Sequence, residues 1–96
     1  MKSKRKYLDP SIKCIVTGAL DPDPCHVYSR KAYPQHKFDT WNIIPLAHKL
    51  HVEQHVFGWN HMIEKYPQID QWLHDHGWEL IELNGRNKLI HPIYND

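Results

Sequence analysis

Glycine and proline interrupt this chain so regularly that only short elements fit between them. A β-branched run ends at Gly18, and a helical pattern that starts at Leu46 ends at Gly58, a typical residue just after a helix. Pro67 ends the next segment, and Gly77 closes a further helix. The sequence therefore predicts short strands and short helices.

The predicted elements follow in the order strand, strand, helix, two short helices and a terminal hairpin. Strands are predicted over 12–18 and 25–29, separated by a turn over 19–24 with two Asp-Pro pairs, and an extended segment over 42–45. Helices are predicted over 46–57, 59–66 and 68–77. Asn84-Gly85 between two apolar runs predicts the hairpin. Candidate inner positions of the first helix are Leu46, Leu50 and Phe57, and the predicted core tryptophans are Trp41, Trp59, Trp72 and Trp78.

The length of 96 residues predicts a single domain over 12–96, preceded by a basic flexible arm over 1–11. The arm has no apolar run after it, so it does not predict a signal peptide. No apolar run approaches the roughly 18 residues of a membrane span. We therefore predict a cytoplasmic protein that has no membrane partner and is either a monomer or a homodimer. The basic residues of the arm are Lys2, Lys4, Arg5 and Lys6.

The net charge of +1 does not indicate a strongly basic protein, but its distribution is uneven. Arg30, Lys31 and Lys37 form a local basic group beyond the arm. Such a group is compatible with contacts to DNA phosphates, and equally with an ordinary solvated surface.

Four polar residues suggest a site. His51 and His55 are four residues apart in the predicted helix, so their rings lie on one face, where two imidazoles can bind one metal ion. His26 lies on a predicted strand, and Asn42 follows a loop. Phosphodiester hydrolysis needs a base for water and a cation for the phosphate, and an amide or a carbonyl can fix the tautomer of the base. These four residues can fill those roles.

The order His, Asn, His-x3-His on strand, strand and helix resembles the HNH endonucleases, which have the ββα-metal fold. The stretch "WNIIPLAHKLHVEQH" is similar to the "WNLIPLCxxHHxEQH" pattern of small phage and prophage HNH proteins, and "GWNHMIEKYP", "WLHDHGWE" and "KLIHP" also resemble that subfamily. The resemblance covers about residues 12–92. It implies an α+β fold in which the ββα-metal motif is followed by additional C-terminal helices and a terminal β-hairpin.

The resemblance also implies roles for individual residues. His26 matches the general base, Asn42 the residue that orients it, and His51 and His55 the metal ligands on the helix. Asp39 matches an aspartate that often follows a Gly-rich loop, although this loop has no glycine. Arg30, Lys31 and Lys37 are then the expected DNA-binding residues, and one divalent ion (Mg, Mn, Ni or Zn) is the expected cofactor.

Many relatives carry a structural zinc bound by four side chains, and this chain retains one of the four positions. Cys14 keeps the first, whereas Thr17, Ala47 and Leu50 occupy the others. Because three ligands are replaced together, we expect no structural zinc, and we expect Cys14 to be a small buried apolar residue.

The residue before the base is often a His or Asp metal ligand in the family, but here it is Cys25. Either Cys25 is a ligand of a transition metal, or it packs inward and Asp23 supplies an oxygen, or water and DNA phosphate complete a two-histidine site. We place Cys25 in the predicted metal site, while the sequence leaves all three arrangements open. The remaining histidines are interpreted as surface residues, with His36 near a phosphate as an option; they are His36, His48, His61, His74, His76 and His91.

Three functions follow as hypotheses. The first is a metal-dependent DNA endonuclease, acting in the bacterial host cytoplasm if the gene is phage-encoded. The second is a catalytically weak or inactive nucleic-acid-binding module that keeps the ββα-metal fold, suggested by the lost zinc ligands and by Cys25. The third, a metal-storage or sensing protein, rests only on the nine histidines and does not account for Asn42.

Overall fold

The computed structural model describes residues 7–92, and within them the chain is a small α+β protein. It has two α-helices and two small antiparallel sheets of two strands each in this range. The chain divides into two compact units, Met1–Val52 and Glu53–Asp96. The basic residues of the predicted arm over 1–11 lie outside the described residues, and the single domain predicted over 12–96 stays a prediction.

The sheet of the first unit pairs strand β1 (Asp23–His26) with strand β2 (Ile43–Leu46). The register places Cys25 opposite Ile44, and all four residues of β2 are buried. An apolar strand buried along its whole length anchors this unit, because each buried aliphatic side chain contributes about 1.5–3 kcal/mol. The other buried apolar residues described in the first unit are Cys14, Pro22, Cys25, Tyr28 and Leu50.

The strand predicted over 12–18 is wrong. Cys14 begins a tight turn in which its carbonyl accepts the N–H of Gly18 at 2.9 Å, and Gly18 has a φ of 74°, which favours glycine. Lys13 and Leu20 form an isolated bridge across this turn. A β-branched run indicates a strand only where a partner strand is within reach, and here the chain folds back on itself within the run.

The turn predicted over 19–24 and the strand predicted over 25–29 also need correction, because β1 begins at Asp23 and ends at His26. Proline fits an extended strand of a small sheet, since its fixed φ is compatible with that backbone. The Asp-Pro pair at 23–24 is therefore part of the strand. The loop between the strands contains two single turns of 3-10 helix, Pro34–His36 and Thr40–Asn42.

Helix α1 (His48–Lys65) is interrupted where the sequence predicts an end. Gly58 has φ 85° and ψ 172°, a conformation that other residues rarely adopt, so the helix consists of two segments. Of the predicted inner positions, Leu46 lies in β2 and is buried, and Leu50 is buried on the helix. The prediction for Phe57 is wrong: the side chain is 63% exposed, and its ring lies against His61 beyond the break instead.

The second unit also contains helix α2 (Pro67–Asp75) and the hairpin of β3 (Glu79–Leu83) and β4 (Arg86–Ile90). Asn84 and Gly85 both have positive φ, as a type I′ turn requires, which confirms the predicted hairpin. The buried apolar residues of this unit are Met62, Ile69, Leu73 and Trp78. Of the predicted core tryptophans only Trp78 is fully buried; the half-buried ones are Trp41, Trp59 and Trp72.

Neither helix in the part of the chain that is described is long and apolar enough to cross a membrane.

Candidate active site

A buried carboxylate meets two imidazoles in the first unit. Asp23, the first residue of β1, is buried, and its Oδ2 lies 2.6 Å from Nδ1 of His48 and 3.0 Å from Nδ1 of His51. The two histidines are three residues apart on the first turn of α1, so both rings lie near one side of the helix. These three residues form a group whose potential ligand atoms all lie within 4.8 Å of one another.

The group fits a divalent metal ion. Zinc-like ions bind imidazole nitrogen and carboxylate oxygen at about 2.0–2.2 Å, which places neighbouring ligand atoms roughly 3.3 Å apart in a tetrahedral site. The carboxylate of Asp23 and the ring of His51 are already near that separation, and the side chain of His51 is only partly exposed. His48 is 79% exposed and can therefore turn on the helix surface with little resistance. A carboxylate with two imidazoles suits Zn, Ni or Mn better than a dedicated magnesium site.

Cys25 lies in the core. It is 1% exposed, and alternation along β1 places it on the same side of the strand as Asp23. Burial first, and the negative charge of Asp23 second, raise the pKa of the Cys25 thiol to about 12. The group of potential ligand atoms found among the described residues contains Asp23 but not Cys25. Of the three arrangements that the sequence leaves open, the geometry therefore favours the one with Asp23 as the donor and Cys25 as a packed side chain.

His55 follows His51 by one turn of α1 and is exposed. The compact group found among residues 7–92 contains His48 rather than His55. His48, interpreted from the sequence as a surface residue, is thus both exposed and in contact with Asp23. The spacing of His48 and His51 in the sequence could have indicated His48 as a candidate ligand, because residues three apart also share a helix face.

His26, the last residue of β1, is held by a backbone carbonyl. Its Nε2 lies 2.9 Å from the carbonyl oxygen of Lys37. A carbonyl can only accept, so Nε2 carries the proton and the neutral ring keeps its lone pair on Nδ1. The half-buried ring is therefore present as an oriented base.

The pKa of His26 is lowered from its ordinary value. Burial is the largest cause; the carbonyls of Lys37 and Pro24 act in the opposite direction, and the charges of Arg30 and His51 lower it further. A lowered pKa keeps the imidazole neutral at physiological pH, as a general base requires. His26 and Asp23 of the carboxylate–imidazole group are the last and first residues of the same four-residue strand.

Asn42 is fully buried and acts on the backbone rather than on the ring of His26. Its Oδ1 accepts the N–H of Tyr28 at 2.6 Å, and its Nδ2 donates to the carbonyls of Tyr28 at 3.0 Å and His36 at 3.1 Å. These bonds fix the chain just after β1 and the loop residue next to Lys37. Asn42 is therefore a positioning residue that holds in place the carbonyl on which His26 depends.

The loop is further stiffened by His36 and Asp39. Nδ1 of His36 lies 2.8 Å from Oδ2 of Asp39, and its ring packs near that of Trp41. These contacts indicate that His36 and Asp39 stabilise the structure of the loop. A loop without glycine thus keeps its shape through side-chain bonds.

The predicted DNA-binding residues lie in the segment between β1 and β2. Arg30 and Lys31 are exposed just beyond β1, and Lys37 is half-buried in the loop. Nη1 of Arg30 donates to the hydroxyl of Tyr7 at 3.3 Å, and Nζ of Lys37 lies 5.3 Å from the centre of the Phe38 ring. Sequence reasoning did not single out Tyr7 or Phe38, because a lone aromatic residue carries no recognisable spacing.

Cys14 is buried, and its thiol accepts the backbone N–H of Thr17 at 3.4 Å. Burial raises the pKa of this thiol, but hydrogen bonds from Thr17 and the N–H of Ala47 outweigh that effect, and the net shift is downward. Three of the four positions that resemble a zinc site therefore lie together, namely Cys14, Thr17 and Ala47. Neither Thr17 nor Ala47 has a sulfur or an imidazole with which to bind zinc.

Comparisons with protein-family models, with curated proteins and with solved structures found no match to this chain. The resemblance to HNH endonucleases thus stays a prediction that rests on the motif. Support for a function comes from the geometry of Asp23, His26, His48 and His51.

Proposed function

We propose that this chain is a metal-dependent DNA endonuclease of the HNH type, and that β1, β2 and the start of α1 form its ββα-metal motif. The observation that carries the proposal is an imidazole, His26, which is held by a backbone carbonyl and lies on the same short strand as Asp23 of the carboxylate–imidazole group. Base and cation site close together are what hydrolysis of a phosphodiester needs.

The proposed metal ligands are Asp23 and His51. The contact with Asp23 supports His48 as the third donor, whereas the spacing in the sequence supports His55. A divalent ion bound there would neutralise charge on the phosphate and on the leaving oxygen. Because Asp23 and the imidazoles combine hard and borderline donors, the choice among Zn, Ni, Mn and Mg is a matter for the nicking experiment.

The proposed role of His26 is to take a proton from the attacking water. The N–H on Nε2 is already engaged by Lys37, so the proton from water goes to Nδ1. The positive charge that His26 then acquires is stabilised by the carbonyl of Lys37. Asn42 contributes indirectly, by holding the loop that bears this carbonyl. Arg30 and Lys31 are proposed to contact DNA phosphates, since both are exposed in the segment that follows His26 at the end of β1.

The test is nicking of supercoiled plasmid with Mg²⁺, Mn²⁺, Ni²⁺ and Zn²⁺ in parallel, for the wild type and for His26→Ala. We expect cleavage by the wild type, and a loss of about 10²–10⁴-fold in His26→Ala without loss of metal binding. The matched control is His74→Ala, an exposed histidine on α2, which should cleave like the wild type.

Persistent cleavage by His26→Ala would contradict its role as the base. If the wild type nicks plasmid with none of the four ions, the endonuclease proposal fails. DNA binding that weakens with salt would then favour the alternative, a nucleic-acid-binding module without catalysis.

A further inference from the structure

Two aromatic rings lie beside the proposed base. Tyr7 and Phe38 are stacked, with ring centres 5.3 Å apart and an angle of 27° between their planes. Phe38 is 52% exposed, so part of its ring faces solvent. The pair therefore offers aromatic surface to a ligand from solvent.

Two cations flank the pair. The guanidinium of Arg30 lies 5.4 Å from the centre of the Tyr7 ring and donates to the Tyr7 hydroxyl, and the ammonium of Lys37 lies 5.3 Å from the centre of the Phe38 ring. Aromatic faces bordered by arginine and lysine combine the two requirements for binding a nucleotide: a stacking partner for the base and positive charge for its phosphate.

The pair is also placed at the reacting end of the site. The ring of Tyr7 meets the ring of His26 edge to face, with centres 4.9 Å apart and planes at 89°. The carbonyl that orients His26 belongs to Lys37, the residue next to Phe38. A base stacked on Phe38 would consequently belong to a nucleotide adjacent to the phosphate that His26 serves.

We infer that Tyr7 and Phe38 form a stacking platform for an unpaired DNA base next to the cleaved phosphate. This inference rests on the proposed endonuclease function and adds a substrate class to it. In a regular duplex the bases are stacked on their own neighbours, so an aromatic platform can engage only a base that is unpaired or displaced. The preferred substrate is therefore single-stranded DNA, or a duplex with unpaired bases at the cleavage position.

The test measures binding of the full chain to a short fluorescein-labelled DNA strand and to the matching duplex, by fluorescence anisotropy in EDTA. Wild type should bind the single strand about tenfold more tightly than the duplex, since stacking of one base is lost in the duplex. Phe38→Leu keeps the apolar contact with Tyr7 but removes the aromatic face, and should abolish this difference. Phe38→Trp should retain it.

The matched control is Phe57→Leu, which removes an exposed aromatic ring on α1 and should leave the preference unchanged. Equal binding of single strand and duplex by the wild type, or an unchanged preference in Phe38→Leu, would overturn the platform. Because EDTA prevents cleavage, the result is independent of the nuclease proposal. If tighter binding of the single strand is lost in Phe38→Leu but retained in Phe38→Trp and Phe57→Leu, the platform is supported even if the chain does not nick plasmid.

Discussion

Asp23 and Glu53 both contact histidine, but they differ in the other groups they contact. Asp23 is buried at the start of β1, and it contacts the imidazoles of His48 and His51 at 2.6 and 3.0 Å. Carboxylate and imidazoles are all metal ligands, so a divalent ion can replace the protons between them once the exposed His48 turns slightly away from Asp23.

Glu53 lies on α1 in the second unit and has a different set of partners. Oε2 of Glu53 is 2.6 Å from His61 and 3.0 Å from the ammonium of Lys65, and Oε1 accepts the hydroxyl of Tyr66 at 2.7 Å. A protonated lysine already neutralises the carboxylate and cannot itself coordinate a cation.

The difference shows that a carboxylate beside histidine is not by itself a metal site. Glu53 precedes the break at Gly58, whereas His61, Lys65 and Tyr66 follow it, so their bonds connect the two sides of the break. Glu53 therefore stabilises a kinked helix, while the histidines around Asp23 can share a metal ion with it. Variants of the two regions separate these two roles.

The first prediction concerns the buried frame beneath the proposed site, which is held by the three hydrogen bonds of Asn42. Replacing Asn42 by Ala leaves the backbone groups of Tyr28 and His36 without their buried partner, so we expect a loss of about 3 kcal/mol in the free energy of unfolding. Urea denaturation measures this loss.

The control is Asn60→Ala, because Asn60 makes one exposed hydrogen bond to the carbonyl of Asn87. This variant should lose about 0.5 kcal/mol or less in the free energy of unfolding. Similar midpoints for the two variants would contradict a structural role for Asn42.

The second prediction is smaller and concerns the pH dependence of the Glu53 cluster. Hydrogen bonds from His61 first, and then from Tyr66 and Lys65, lower the pKa of Glu53 from 4.5 to about 2. Since the folded-state pKa is depressed, the cluster stabilises the fold fully above about pH 4.5 and loses this effect as the pH falls towards 2.

Glu53→Gln should therefore lower the melting temperature by a few degrees at pH 7, and by less at pH 3. Thermal unfolding followed by circular dichroism measures both values. Glu64→Gln, at an exposed acidic position of α1, serves as the control and should melt like the wild type. If the difference in melting temperature between wild type and Glu53→Gln is larger at pH 3 than at pH 7, the pKa of Glu53 is not lowered in the folded protein.

Local signals in the sequence predicted part of the fold well. Asn84-Gly85 and Gly58 were predicted correctly, because each needs a backbone conformation that few residues adopt. The strand over 12–18 and the burial of Phe57 were predicted wrongly, because both depend on which distant residues pack against them.

The same distinction applies to the site. Spacing and resemblance in the sequence are enough to indicate His26 and His51 as candidates. The contact of Asp23 with His48 joins residues 25 positions apart, and the carbonyl that orients His26 is a backbone group with no sequence signature. Such groups become identifiable only when the chain is folded.

The central claim, a divalent metal site built on Asp23 and His51, is tested most directly by calorimetric titration of the full chain with Zn²⁺. We predict one site in the wild type, weakened by at least about 10–100-fold in Asp23→Asn, and unchanged in Glu53→Gln. His48→Ala should lose more affinity than His55→Ala, because His48 is the residue in contact with Asp23. Equal zinc affinity in the wild type and Asp23→Asn, or loss of affinity only in Glu53→Gln, would contradict the claim.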